Sequence, residues 1–122
     1  MSLPDESTLV YDWNGVDATP SGHRVEFDDE TLRDGLQSPS VRDPDIGTKL
    51  QVLHLMDDLG IHSADLGLPG ASERQKRDVA RMVHEIVAEG LSIRPNCAAR
   101  TLVADIEPIC DVADEAGMAI EV

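Results

Sequence analysis

The stretch Glu30-Thr31-Leu32-Arg33-Asp34-Gly35-Leu36-Gln37 sets a guanidinium, a carboxylate and a carboxamide close together. A guanidinium neutralises charge developing on oxygen, a carboxylate can ligate a divalent cation, and an amide can orient a polar ligand. Together they would put an anion binder, a metal ligand and a hydrogen-bonding amide at one point. Asp65 lies inside a later apolar segment and Arg100 just past another, so two arginines and two carboxylates can face one cavity. On spacing alone, Arg33-Asp34 is equally consistent with a surface ion pair beside a glycine turn.

These side chains meet only if their elements bring them to one place. In parallel α/β architectures, sites gather at the C-terminal ends of strands. Val25 and Phe27 alternate with polar neighbours, which predicts a strand over residues 23–28 that ends at the motif. Ile46, Leu50, Leu53, Met56 and Leu59 recur at helical spacing before a stop at Gly60. Residues 61–68 read as a second strand ended by Pro69-Gly70. Ser72 and Gln75 form a capping box for a helix whose apolar stripe is Val79, Met82, Val83, Ile86 and Val87, with Gly90 as its stop.

Residues 91–98 predict a third strand, weakened by Pro95. Asp105 is the expected N-cap of a third helix carrying Ile106, Ile109, Cys110, Ala113 and Ala116, with Pro108 in its first turn and Gly117 at its end. Residues 118–122 read as a fourth strand. Residues 1–22, with Pro4, Gly15, Pro20 and Gly22 and no clear period, read as an N-terminal arm. The order β-α-β-α-β-α-β predicts parallel strands joined by right-handed crossovers. Its repeat of roughly 30 residues suits a βα-barrel. A nucleotide-binding reading lacks its main support, because no G-x-G-x-x-G or Walker loop is present.

With 24 acidic against 10 basic residues and a formal charge of -14, a nucleic-acid surface and binding to anionic lipid are both disfavoured. Such acidity fits a solvated or salt-adapted surface, or a bound cation. Cys97 and Cys110 match neither a disulfide framework nor a zinc cluster, so reduced thiols and a cytoplasmic location are expected. No apolar run approaches the roughly 18 residues of a membrane span. Cys97 reads as a small buried residue rather than a nucleophile, and Ser72 as a helix cap. His54 and His84 fall within helices as solvated or packed residues, while His23 and His62 begin strands at the end opposite the site. Met56, Met82 and Met118 are expected to fill core.

The chain resembles the metal-dependent aldol-type barrel enzymes that include 2-isopropylmalate synthase, homocitrate synthase, citramalate synthase and hydroxymethylglutaryl-CoA lyase. Thr31-Leu32-Arg33-Asp34-Gly35-Leu36-Gln37 is similar to that family's signature. Ala64-Asp65-Leu66-Gly67-Leu68-Pro69 is similar to its second-strand Ile-Glu-x-Gly-x-Pro pattern, and Ala98-Ala99-Arg100 to its third-strand end. The resemblance spans about residues 25–122 and is strongest toward 2-isopropylmalate synthase. It implies that Arg33 stabilises an enolate or alkoxide oxygen and that Asp34 binds a divalent metal (magnesium, manganese or zinc). It further implies that Gln37 and Asp65 line the substrate and that Arg100 grips a 2-keto acid carboxylate. Leu36 stands where many synthases have Glu, as it does in the lyases. Asp65 replaces the usual Glu, and none of the four histidines belongs to the His-x-His pair that completes the family's metal site.

The fold implied is α/β, with residues 23–122 as the N-terminal half, about four βα units, of a pyruvate-carboxyltransferase-type (β/α)8 barrel. A full barrel needs eight strands and typically about 250 residues. The chain is therefore expected to be a truncated piece, inactive alone, that forms a homo-oligomer or pairs with a missing C-terminal half, because an open parallel sheet exposes its edges. The activity implied for the complete enzyme is condensation of acetyl-CoA with a 2-keto acid in leucine-type biosynthesis. The alternatives are a lyase running related carbon-carbon chemistry backwards, which Leu36 favours, and a non-catalytic subunit-interaction module.

Overall fold

Each strand is short and precedes a helix that packs back on the sheet. The computed structural model describes residue 22 and residues 24–122. The N-terminal arm, Gly22 excepted, and His23 lie outside the described residues. Strands β1 (Asp28–Asp29), β2 (Ser63–Asp65) and β3 (Arg94–Asn96) form a parallel sheet in that order. Asp28 stands opposite Ser63 and Ser63 opposite Arg94, while Asp65 stands opposite Asn96. Helices α1 (Ile46–Leu59), α2 (Glu73–Glu89) and α3 (Val103–Ala116) alternate with the strands. Gly60, Gly90 and Gly117 end the helices in the left-handed region, as the sequence predicts.

The core lies between the helices and one face of the sheet. Leu53 and Met56 from α1, Val79, Met82, Val83 and Ile86 from α2, and Ile109 and Val112 from α3 are buried against Ala64, Leu66 and Ile93. Successive strand residues point to opposite faces, so Ser63, Arg94 and Asn96 fall on the other side. There Asn96 Nδ2 donates to Asp28 Oδ1 at 2.7 Å, and Arg94 pairs with Glu26. Met56 and Met82 fill core as expected, and Met118 packs partly buried against it.

The structure corrects several local expectations. All three strands are shorter than their apolar runs, because pairing extends only where a neighbour is in register. Val25 and Phe27 are exposed, and the segment before β1 is tied by His62 and Ser63 N–H groups donating to the Phe27 carbonyl. The fourth strand is reduced to one bridge, with Glu121 opposite Asn96. Leu59, Val87 and Cys110 sit on stripes read as apolar yet are exposed, since each helix packs on one side only. On α1, Lys49 takes an inner position instead.

Asp105 is not the N-cap of α3. Leu102 precedes the helix without a side-chain cap, and the Asp105 carboxylate turns to Arg100. Pro108 consequently falls beyond the first turn, where it removes one intrahelical donor. The Ser72 cap does form, with its Oγ accepting from Gln75 N–H at 3.2 Å. Replacing Ser72 with Ala is expected to lower stability by about 1 kcal/mol in urea unfolding.

Candidate active site

Arg33 is aimed by a tight turn between β1 and the short 3-10 helix Gly35–Gln37. Asp29 Oδ1 accepts the Thr31 N–H at 2.8 Å, and the Glu30 carbonyl accepts both the Arg33 and the Gly35 N–H groups. This is the local bonding by which Asp stabilises a turn. Leu32, 4% exposed, plugs into the core and turns Arg33 toward the end of β2.

There the guanidinium meets three carboxylates. Its Nε donates to Asp65 Oδ2 at 2.8 Å, Nη1 to Asp34 Oδ1 at 3.1 Å, and Nη2 to Glu30. Asp65 is buried, with its side chain 6% exposed, and its second oxygen accepts the Gly67 N–H at 3.1 Å. Hydrogen bonding to Asp65 raises the Arg33 pKa despite partial burial, and the charges of Asp65, Glu30 and Asp34 add to it. The guanidinium is therefore a fixed cation carrying an excess of negative charge around it. Three of its five N–H groups are used, which leaves one on each terminal nitrogen.

Arg100 is held differently. Its side chain is 75% exposed, and Asp105 grips it twice: Nε to Oδ2 at 2.7 Å and Nη2 to Oδ1 at 2.9 Å. The Arg100 backbone N–H also donates to Asp105 Oδ2. The hydrogen bond and charge of Arg100 lower the Asp105 pKa, and the same bond raises that of Arg100. An external carboxylate reaching Arg100 must share or displace Asp105.

Two small recesses flank Leu68. One, of about 120 Å³, has Arg33, Leu36, Gln37, Asp43 and Gln75 on its walls. The other, of about 190 Å³, is formed by Leu68, Gly70, Ala71, Ala98, Arg100 and Asp105. Arg33 and Gln37 thus share one recess and Arg100 borders its neighbour, both on the side where β2 and β3 end. Asp34, largely exposed, lines neither, and Asp65 reaches the site through Arg33. A wider concavity of about 430 Å³ lies on the open sheet face beside Glu26, Asp28, Arg94 and Asn96, and none of Arg33, Asp34, Gln37, Asp65 and Arg100 lines it.

Among the described residues no three His, Cys, Asp or Glu side chains come together as a metal site. Glu30, Asp34 and Asp65 all bond the Arg33 guanidinium, Asp34 through one oxygen at 3.1 Å. This donor set does not by itself fit a firmly held cation. His54 pairs with Glu85 across α1 and α2, and His62 Nδ1 accepts the Phe27 N–H at the opposite end of the sheet. Cys97 is buried, and burial, with the nearby Asp65 charge, pushes its thiol up to about 12, in keeping with its expected packing role.

Three charged residues beside the site were missed from the sequence. Lys49 Nζ bonds Asp43 at 2.9 Å and Asp78 at 2.8 Å. The signal was available, since Lys49 sits one helical turn from both Ile46 and Leu53 on the apolar stripe of α1. Burial pulls the Lys49 pKa down, but hydrogen bonds to Asp78 and Asp43 outweigh it and the net shift is upward. A raised lysine pKa contributes stability that is fully present below the unfolded value of about 10.4 and is lost as pH climbs through the folded value. Thermal midpoints are expected to fall on that alkaline limb in the wild type and to lose this component in Lys49→Met.

No family model matches the chain. Homocitrate synthase AksA of Methanopyrus kandleri is 37% identical over 115 residues, covering 92% of this chain and 23% of that protein. Homocitrate synthase AksA of Methanothermobacter thermautotrophicus is 38% identical over 93 residues, with 73% and 22% covered. The 2-isopropylmalate synthase of Acidimicrobium ferrooxidans is 38% identical over 96 residues, with 75% and 17% covered. The chain spans less than a quarter of the length of each of these relatives. Its turn geometry at Arg33-Asp34, its parallel α/β order and these identities lead to one statement: the chain belongs to the family of homocitrate synthase and 2-isopropylmalate synthase and corresponds to one part of those proteins.

Proposed function

We propose that this chain supplies the arginine-bearing wall of an active site that condenses acetyl-CoA with a 2-keto acid. The observation that carries the reading is Arg33, placed after β1 and locked by Asp65 at the end of β2, with two N–H groups to spare. In the proposed reaction the acyl-CoA enolate attacks the keto carbonyl, negative charge moves onto its oxygen and is taken up by a proton, and water then hydrolyses the thioester to release CoA. Arg33, already oriented, meets that charge without reorganising. Gln37 shares its recess and orients the keto acid, while Arg100 takes the substrate carboxylate in exchange for Asp105. The proton-abstracting base belongs to residues outside those described.

On this reading β1 to α3, with the bridge at Glu121, belong to the N-terminal half of a (β/α)8 barrel. A divalent ion, when bound, would polarise the keto oxygen, and Asp34 is the residue of this chain offered to it. With one exposed carboxylate and a nearby amide, the chain alone is expected to bind magnesium or manganese no tighter than about millimolar. Isothermal titration showing micromolar affinity would contradict that.

The branched, leucine-type keto acid is preferred because the recess beside Arg100 is walled by Leu68, Gly70, Ala71 and Ala98. Such walls suit a short aliphatic group better than a second carboxylate. The test is release of free CoA thiol by the protein that carries this chain, given acetyl-CoA with 2-oxoisovalerate or with 2-oxoglutarate. Faster release with 2-oxoisovalerate supports the assignment, and faster release with 2-oxoglutarate moves it to homocitrate-type chemistry. A protein that releases no thiol with either, yet cleaves hydroxymethylglutaryl-CoA, would be the lyase that Leu36 favours.

A further inference from the structure

Lys49 is a buried ammonium with no part in the chemistry proposed for Arg33. Its side chain is 2% exposed and lies between Asp43, in the loop before α1, and Asp78 on α2. The second Asp43 oxygen accepts from Arg74 at 2.6 Å, so Arg74, Asp43, Lys49 and Asp78 form a charge-balanced chain. Other bonds made within the loop of residues 38–44 are local, from Val41 N–H to the Ser38 carbonyl and from Ser40 N–H to the Ser38 hydroxyl. Asp43 is what ties this loop to α2.

The Arg74 partner is 58% exposed, and an exposed pair holds little. The Lys49 pairs are shielded from water, where breaking one side leaves a charge uncompensated. Asp43 also stands on the wall of the recess that holds Arg33 and Gln37. We infer that Lys49 is a positioning residue: by clamping Asp43 against α2, it fixes the loop after the motif and the recess wall facing Arg33 and Gln37. The functional side of this inference rests on the reading of that recess as a substrate site.

Hydrogen–deuterium exchange on the full chain tests it, comparing wild type with Lys49→Met, Lys49→Arg and the double variant Lys49→Met with Asp78→Leu. The double variant exchanges a buried ion pair for apolar groups, a change that commonly preserves stability, so it carries the test even if the single variant fails to fold. Loop amides of residues 37–44 are expected to exchange at least about tenfold faster in both Met variants. Lys49→Arg keeps charge-assisted donors for both carboxylates and should stay within about threefold of wild type. Wild-type loop protection in the double variant overturns the clamp, as does a wild-type loop already exchanging at the unprotected rate. An NMR titration of wild type with 2-oxoisovalerate, followed at the Arg33 Nε–H signal, separately decides the site reading. An absent shift there counts against the substrate site, whereas unchanged exchange counts against Lys49.

Discussion

Replacing Arg33 with Met is expected to lower the unfolding free energy by about 3 kcal/mol, because it strands the buried Asp65 carboxylate. Asp65 would keep one Gly67 N–H donor and lose its counter-charge. Glu30 and Asp34 would be released as well, but both are largely exposed and water compensates them. Urea unfolding of Arg33→Met, Asp65→Leu and the double variant separates the contributions. The double variant should recover most of the loss, since apolar groups in place of a buried ion pair are often tolerated. A single Arg33→Met variant within about 0.5 kcal/mol of wild type, the usual range for surface changes, would show that the guanidinium is not structurally coupled to β2.

The same pair links stability to activity. If Arg33 meets the developing oxyanion, Arg33→Lys keeps a positive charge but loses the planar fork that Asp65, Asp34 and Glu30 hold in place. Turnover of the protein that carries this chain is then expected to fall by about 10² to 10³, the range for losing one oxyanion donor. Asp65→Asn, which retains an acceptor for the Arg33 Nε–H, should fall less.

The second large effect is expected at Gly70, where a Cβ would lie 2.7 Å from the Asp105 Cα. That atom is backbone at the start of α3 and cannot rotate away. Gly70→Ala must separate the Pro69–Ala71 turn from α3, at a cost of about 1–3 kcal/mol. The separation should also loosen the Asp105 grip on Arg100, visible as faster NMR dynamics of the Arg100 Nε–H. Gly22→Ala, with nothing among the described residues within 4 Å of its added Cβ, is the control and should change stability by less than about 0.5 kcal/mol. Equal stability of the two variants would remove the close approach as a constraint.

Local periodicity made the order of elements legible. Val79, Met82, Val83 and Ile86 mark the inner face of α2 by spacing alone, and the glycines after each helix mark the stops. Helix ends depend on a few adjacent residues, so they were predictable. Strand ends depend on partners far along the chain, and so residues 61–68 contract to Ser63–Asp65. Dependence on distant partners explains Lys49 too: a lysine on an apolar stripe gives no hint of two aspartates, one of them on another helix, waiting beneath it. Asp105 departs for a local reason instead: its sequence context suits a cap, but Arg100 in the preceding loop claims its side chain.

By itself, the sequence determined the kind of elements, their alternation, and the Arg33, Gln37 and Arg100 positions that carry the family resemblance. Tertiary structure alone decided which charges meet. Asp65 became the partner of Arg33, Asp105 the partner of Arg100, and Asp43 with Asp78 the partners of Lys49. The physical reason is range and burial: backbone propensity and apolar periodicity act over a few neighbouring residues, whereas Arg33–Asp65 and Lys49–Asp78 join segments about thirty residues apart, and burial sets how strongly each pair is held.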